Sequence, residues 1–267
     1  MKYMTFNSSC AYAGIANMLA QEGLHMEDRD IALAMKLPYL FAYEDGAYLA
    51  GPMLQSAKWF DLALVPLGFR LHEESIHRSD VFASLRGKKS VMLGLKVTEE
   101  SKHAVVFMGI EGDAARFINN KHADSDEPDS LLLNEKALSN RLDDTVILAS
   151  LEHCAPARVD FAPLLRNSCE ILHRWKQEAE AFCNKECSAE ERMTALNPLF
   201  RALLLDGITM ADLTGDAERA GRMRALQQKL LSTLRIPQPL ILAQHLPLPD
   251  LLSLADELIT LIQGQLS

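Results

Sequence analysis

The sequence predicts an α+β fold in which N-terminal helices pack on an antiparallel sheet and an all-helical domain follows. Three observations support this: helical signals fill residues 10–64, short apolar runs between turn signals fill 90–151, and three- and four-residue apolar spacing returns beyond Pro156. Helices followed by consecutive strands are typical of α+β rather than alternating βαβ order. We therefore predict two domains, residues 1–156 and 157–267.

Three helices are predicted before the strands. The first begins at Cys10, behind a serine cap, and stops at Gly23. The second covers residues 27–36, where acidic residues suit the positive end of its dipole, and the third opens at a Gly-Pro pair and covers 51–64.

Strands are predicted from short apolar runs bounded by charged or turn residues. They cover residues 91–95, 103–110, 115–119 and 145–151. Glu111-Gly112-Asp113 reads as a hairpin turn between the second and third of these, and residues 134–142 read as a helix.

The second domain reads as a bundle of four or five helices. The predicted helices cover residues 161–185, 188–205, 216–234 and 250–263. The leucine-rich segment 251–261 suits either the core of this bundle or the seam of a homodimer.

Composition limits the classes of partner. The 267 residues carry 27 basic and 36 acidic side chains, a formal net charge of −9, so general binding to nucleic acid or to an anionic membrane is not expected. We find no apolar run long enough for a transmembrane helix and no signal-peptide pattern. The five cysteines are irregularly spaced and do not resemble a disulfide framework, so a cytoplasmic protein is expected.

Cys10 is the first candidate for chemistry. It lies at the start of a predicted helix behind Asn7, Ser8 and Ser9. The unpaired N–H groups and the dipole of a helix N-terminus favour an anion, which predicts a stabilised thiolate and a lowered pKa. The alternative is a cysteine that simply packs.

His103 supplies a base for this thiol. It begins an apolar strand, where an imidazole has no packing role, and from a strand start it can reach the end of a helix packed on the sheet. The hairpin returns Asn119 and Asn120 beside it, and a side-chain amide there would orient the imidazole. Strand alternation places only one of the two asparagines on the correct face.

These segments resemble papain-like cysteine peptidases over roughly residues 1–150. The resemblance lies in NSSCAYAGIANML (7–19), KHAVVFMGI (102–110) and FINN (117–120). It is greatest to the bacterial peptidases that cut double-glycine leaders of bacteriocins, and the layout is also similar to the N-terminal domain of the butirosin-biosynthesis acyltransferase. The resemblance implies a Cys10–His103–Asn119 or Cys10–His103–Asn120 triad and a thioester intermediate on Cys10.

Two departures from that family affect the expected reaction. The family carries a glutamine about six residues before the nucleophile to hold the oxyanion, but Met4 stands there, and Asn7 is the nearest amide that could replace it. The third triad position is asparagine rather than the aspartate of many bacterial members. We therefore expect acyl transfer or hydrolysis of an amide or thioester. The alternative is a non-catalytic relative that binds a peptide or protein partner.

Other features yield weaker expectations. Tyr39, Tyr43 and Tyr48 form an aromatic-rich loop that either packs or lines a substrate groove. The acidic residues 124–129 lack the glycine and the final glutamate of an EF-hand, and read as a solvated loop near the site. No phosphate-binding glycine loop and no metal-ligand spacing is present, so no cofactor and no metal are expected.

Overall fold

The computed structural model describes residues 1–98, 101–183, 203–233 and 247–266. Its contacts divide the chain into two units, of which the first comprises Met1–Met35 and Gln55–Val159 and the second Lys36–Leu54 and Asp160–Ser267. The division at Val159 lies near the predicted boundary at 156, whereas the segment Lys36–Leu54 groups with the later residues. One physical reason is a hydrogen bond from the Phe41 N–H to Ser168 Oγ (3.0 Å).

The described residues of the first unit form five α-helices. They are α1 (Ala11–Gln21), α2 (Asp28–Ala34), α3 (Ala57–Leu64), α4 (Val81–Leu85) and α5 (Glu135–Ser139). The predicted third helix at 51–64 was too long at its start. Leu54 and Ser56 are not helical (ψ 81° and 165°), so α3 begins only at Ala57, and Gly51–Met53 form a separate 3-10 turn.

The described residues form eight strands, two in a hairpin of the second unit and six in one antiparallel sheet of the first unit. The hairpin consists of β1 (Phe41–Glu44) and β2 (Ala47–Ala50). The sheet consists of β3 (Phe69–His77), β4 (Val91–Lys96), β5 (Lys102–Glu111), β6 (Ala114–Asn119), β7 (Ser130–Asn134) and β8 (Thr145–His153), in the order β3-β8-β4-β5-β6-β7.

The four predicted strands are confirmed as β4, β5, β6 and β8, and the turn at 111–113 joins β5 to β6. Strands β3 and β7 were missed because they lie at the two edges of the sheet. Only Phe69 and Leu71 of β3 are buried, so its sequence carries little apolar signal. The aromatic segment predicted as a loop is a 3-10 turn at Leu37–Tyr39 followed by the β1–β2 hairpin.

The two faces of the sheet have different partners. One face contributes Val105, Phe107 and Phe117 to a buried cluster that also contains Phe82 of α4 and Leu138 of α5. On the other face lies α1, and a Cβ built on Gly14 would come within 2.4 Å of Met92 Sδ and 2.9 Å of Asn120 Nδ2. The close approach at Gly14 therefore depends on the missing side chain, and it brings the start of α1 to the sheet.

Apart from its hairpin and short 3-10 turns, the regular structure in the described part of the second unit is α-helical. Its described helices are α6 (Ala162–Cys183), α7 (Gly207–Leu213), α8 (Ala217–Thr233) and α9 (Leu248–Gly264). Three of the four predicted helices are thereby confirmed, α7 was not predicted, and nearly all of the predicted helix 188–205 lies outside the described residues. Cys169 and Ile259 lie within the core of this unit.

Mixed helix and antiparallel sheet followed by helices is the predicted α+β class, which is confirmed. In the part of the chain that is described, we find no helix with the length and apolarity to span a bilayer.

Candidate active site

Cys10 caps the N-terminus of α1. Its carbonyl oxygen accepts a hydrogen bond from the Gly14 N–H (3.1 Å), and its side chain caps no N–H of the helix. Instead, Sγ accepts a hydrogen bond from the backbone N–H of Ala104 on β5 (3.0 Å). The helix therefore presents the sulfur to the start of the strand that carries His103.

The environment of Cys10 changes one expectation. Burial raises the pKa of the Cys10 thiol, and the N–H groups of Ala104 and of Cys10 itself lower it by less. The lowered pKa predicted for Cys10 from the helix N-terminus is wrong, because desolvation of the thiolate outweighs the effect of the nearby N–H donors. The resting sulfur is a thiol.

We expect the alkylation of Cys10 by iodoacetamide to be slow at neutral pH. The thiolate is the reactive species. A raised pKa therefore shifts the pH at which the alkylation rate rises to above about 8.5, the pKa of an unperturbed cysteine. Peptide mass spectrometry over a pH series, with N-acetylcysteine as the reference thiol, measures this. A plateau of fast alkylation below pH 7 would contradict it and would indicate a resting thiolate–imidazolium pair.

His103 lies at the start of β5, opposite Leu95 of β4. Burial lowers the pKa of His103, a side-chain hydrogen bond with Asn119 and the charge of Glu127 raise it, and the charge of Arg141 lowers it. Its Nε2 atom is buried and has no hydrogen-bond partner among the described residues. The bond to Asn119 therefore uses Nδ1, and Nε2 is left available.

The structure brings Asn119, rather than Asn120, to His103. Asn119 pairs with Val105, and His103 lies two residues before Val105, so His103 and Asn119 share a face of the sheet. Asn120 lies toward α1, where its Nδ2 donates to the Ala104 carbonyl (2.9 Å) and its Oδ1 accepts from Asn17 Nδ2 (3.0 Å). Asn120 thus tethers α1 to β5.

The Asn119 side chain is held by the loop that follows β6. Its Nδ2 donates to Glu127 Oε2 and to the Pro128 carbonyl, each at 3.0 Å. The sequence indicated only a solvated acidic loop here, because no local pattern shows which of its carboxylates turns toward the strand.

A cavity of about 410 Å³ adjoins His103. It is lined by Met4, Val97, His103, Asn119, Lys121, His122, Ser125, Glu127, Pro128, Leu131 and Arg141. The Arg141 guanidinium was not among the predicted site residues, since it lies 38 positions beyond His103 in the chain.

The predicted oxyanion region contains two side-chain amides. Asn7 is exposed three residues before Cys10. Gln55, which sequence reasoning missed, accepts a hydrogen bond through Oε1 from the buried Ser9 Oγ (2.6 Å), beside the nucleophile. The backbone N–H of Met4 donates to the Lys121 carbonyl (2.9 Å), and a thioether supplies no donor in place of glutamine.

The three predicted substrate-binding tyrosines belong to the second unit. The rings of Tyr43 and Tyr48 pack edge to face (4.7 Å between centroids), and the Arg174 guanidinium lies 4.0 Å from the Tyr43 centroid. The Tyr48 hydroxyl donates to Glu178 (2.5 Å), and Tyr39 is half-buried. Their role in substrate binding stays a prediction.

No cluster of three His, Cys, Asp or Glu side chains in the described ranges is arranged to hold a metal ion.

Comparison with known proteins finds a likeness among solved structures alone. No family model matches the chain, and no curated protein does. Among solved structures, the chain is similar to the peptidase domain of Streptococcus ComA, a bi-functional ABC transporter involved in a quorum-sensing pathway. The identity is 13%, the likeness covers 56% of this chain and 96% of that domain, and the TM-score is 0.39. The function of this chain is therefore inferred from its own residues.

Proposed function

We propose that this protein is a cysteine-dependent acyl-transfer enzyme of the papain-like type. The observation that carries the proposal is the buried, unpartnered Nε2 of His103, one residue from the N–H that binds Cys10 Sγ. A buried nitrogen without a partner costs free energy, and a proton-transfer role at the strand start that Cys10 contacts would account for its retention. Asn119 holds the opposite nitrogen of the ring.

The proposed reaction begins with a neutral thiol and a neutral imidazole. Cys10 Sγ leaves the Ala104 N–H and attacks the acyl carbon, while His103 Nε2 takes the thiol proton. The resulting imidazolium donates that proton to the leaving amine or thiolate, and the acyl group remains on Cys10 as a thioester. His103 then takes a proton from water or an acceptor amine, whose attack releases the product and restores the thiol when the proton returns to sulfur.

The direction of both pKa shifts supports a general base rather than a preformed ion pair. Burial raises the pKa of Cys10 and lowers that of His103, so each group is neutral at rest. The Asn119 carbonyl oxygen, together with the charge of Glu127, stabilises the imidazolium when it forms.

The proposed substrates are thioesters and activated amides ahead of ordinary peptide bonds. Loss of a side-chain oxyanion donor costs roughly 3–4 kcal/mol of transition-state stabilisation, and Met4 cannot supply one. The Cys10 N–H and the amide of Asn7 or Gln55 are the candidate donors. A thioester has a better leaving group than a peptide and needs less help.

The test compares three acyl donors that carry the same acyl group and differ in the leaving group. We expect turnover of an S-acyl N-acetylcysteamine and a p-nitrophenyl ester, at least tenfold slower turnover of the matching peptide amide, and none of these reactions in Cys10→Ala. Added glycine ester measures partition between water and an amine. Equal rates for Cys10→Ala and the unmodified protein would contradict the proposal.

The second candidate is a non-catalytic protein that binds a peptide or a protein partner. Met4 at the glutamine position and the raised pKa of Cys10 favour it. It predicts no Cys10-dependent turnover of any of the three donors, with a peptide ligand whose affinity is unchanged in Cys10→Ala.

A further inference from the structure

The loop between β6 and β7 contacts Asn119, the residue that orients His103. Both hydrogens of the Asn119 amide are donated into it, one to Glu127 Oε2 and one to the Pro128 carbonyl. Only Oδ1 of Asn119 then remains to face His103.

The chemistry of the partners fixes this orientation. Turning the amide over would set Oδ1 against a carboxylate oxygen and a carbonyl oxygen, and all three atoms can only accept hydrogen bonds. Because Oδ1 accepts, the Nδ1 atom of His103 must carry the proton, which leaves the lone pair on Nε2. Glu127 therefore acts on the tautomer of His103 through Asn119.

Glu127 also acts through its charge. The charged and titratable groups that line the cavity around His103 are Glu127, Arg141, Lys121 and His122. Lys121 is paired with Asp129 (3.0 Å), which leaves Glu127 and Arg141 with opposite effects on His103. Asn119 is neutral, so Glu127 supplies the negative charge on this side of the ring.

We propose that Glu127 is a positioning residue that locks the Asn119 amide toward His103 and places a carboxylate behind it. The proposal rests on the acyl-transfer function above only for its kinetic consequences. It joins Glu127, Asn119 and His103 in one hydrogen-bonded chain.

The test is an NMR titration of the His103 ring in three variants, with the resonance assigned by its loss in His103→Ala. In Glu127→Ala the pKa of His103 is expected to fall, and kcat to drop on the order of tenfold, as when outer partners of functional side chains are lost. In Glu127→Gln the pKa also falls, but kcat at alkaline pH stays within about threefold of the unmodified protein because Gln still accepts from Asn119.

Asp126→Ala is the matched control. Asp126 is an exposed carboxylate in the same loop, and its removal is expected to move neither the pKa of His103 nor kcat. If Glu127→Ala gives the same His103 pKa and the same kcat as Asp126→Ala, the proposal is overturned.

A paired substitution tests the hydrogen-bond chain itself. Asn119→Asp sets two carboxylates face to face and is expected to lower kcat, whereas adding Glu127→Gln restores a donor between them and recovers part of the loss. A double variant no better than Asn119→Asp would argue against the proposal. If no acyl donor is turned over at all, the titration still decides on Glu127, so its failure is distinct from failure of the proposed function.

Discussion

Replacing His103 by alanine is expected to slow the acylation of Cys10 by a p-nitrophenyl ester by about 10²–10⁴-fold, which is the usual contribution of a general base. Burial of the sulfur raises the pKa of the Cys10 thiol, and the backbone N–H of Ala104, which lowers it by less, does not depend on the His103 side chain, so the thiol is expected to keep its raised pKa. Stopped-flow release of p-nitrophenolate measures the rate.

Two controls test whether the expected loss of acylation rate is specific to the His103 imidazole. His72→Ala removes an exposed histidine from the same sheet and is expected to leave the rate unchanged. Free imidazole is expected to restore part of the rate in His103→Ala, since the cavity beside the deleted ring has room for it. An acylation rate that is the same in His103→Ala and the unmodified protein would contradict the role of His103 as the general base.

The two asparagines are expected to separate activity from stability. Asn120 is fully buried (0% exposed), and Asn120→Ala leaves the Ala104 carbonyl and the Asn17 amide without their partner. An unsatisfied buried group costs about 1–3 kcal/mol, so we expect a loss of roughly 2–4 kcal/mol in the free energy of unfolding of the first unit.

Asn119→Ala is expected to cost less stability and more activity. Its partners Glu127 and Pro128 are exposed and regain water, which limits the loss to about 1 kcal/mol, while His103 loses its orienting group. Urea denaturation in a Trp175→Phe background, which leaves Trp59 as the reporter of the first unit, gives the free energies. The opposite ranking, with Asn119→Ala the less stable, would mean that the roles are exchanged.

Much of the candidate site follows from the sequence because its parts are local. A cysteine at a helix start, a histidine at a strand start and a hairpin of the right length bring Cys10, His103 and the asparagines into one region. These depend on capping, periodicity and turn residues, which a sequence shows directly.

The choice between Asn119 and Asn120 could not be made in this way. Near the turn, Gly109 pairs with Arg116, but a bulge between Phe107 and Gly109 shifts the register by one, so that Val105 pairs with Asn119. Counting back from the turn without the bulge pairs Val105 with Asn120 and reverses the faces. One extra residue thus decides which amide reaches His103.

Neither the role of Glu127 nor the raised pKa of Cys10 could be predicted from the sequence. Glu127 is one of several acids in an exposed loop, and only the folded loop shows that its carboxylate meets Asn119. The pKa of Cys10 depends on how much protein surrounds the sulfur, whereas the sequence reveals only the helix N-terminus that would lower it.

The most direct test of the account is to locate the acyl group after a single turnover. The protein is mixed with a slight excess of S-acyl N-acetylcysteamine, quenched in acid and mapped by peptide mass spectrometry. We predict one hydroxylamine-labile acyl group on Cys10 and none on Cys154, a free cysteine of similar partial exposure, with the label lost in His103→Ala at the same quench time. An unlabelled Cys10, or equal labelling of Cys10 and Cys154, would contradict the central claim that Cys10 is an activated nucleophile.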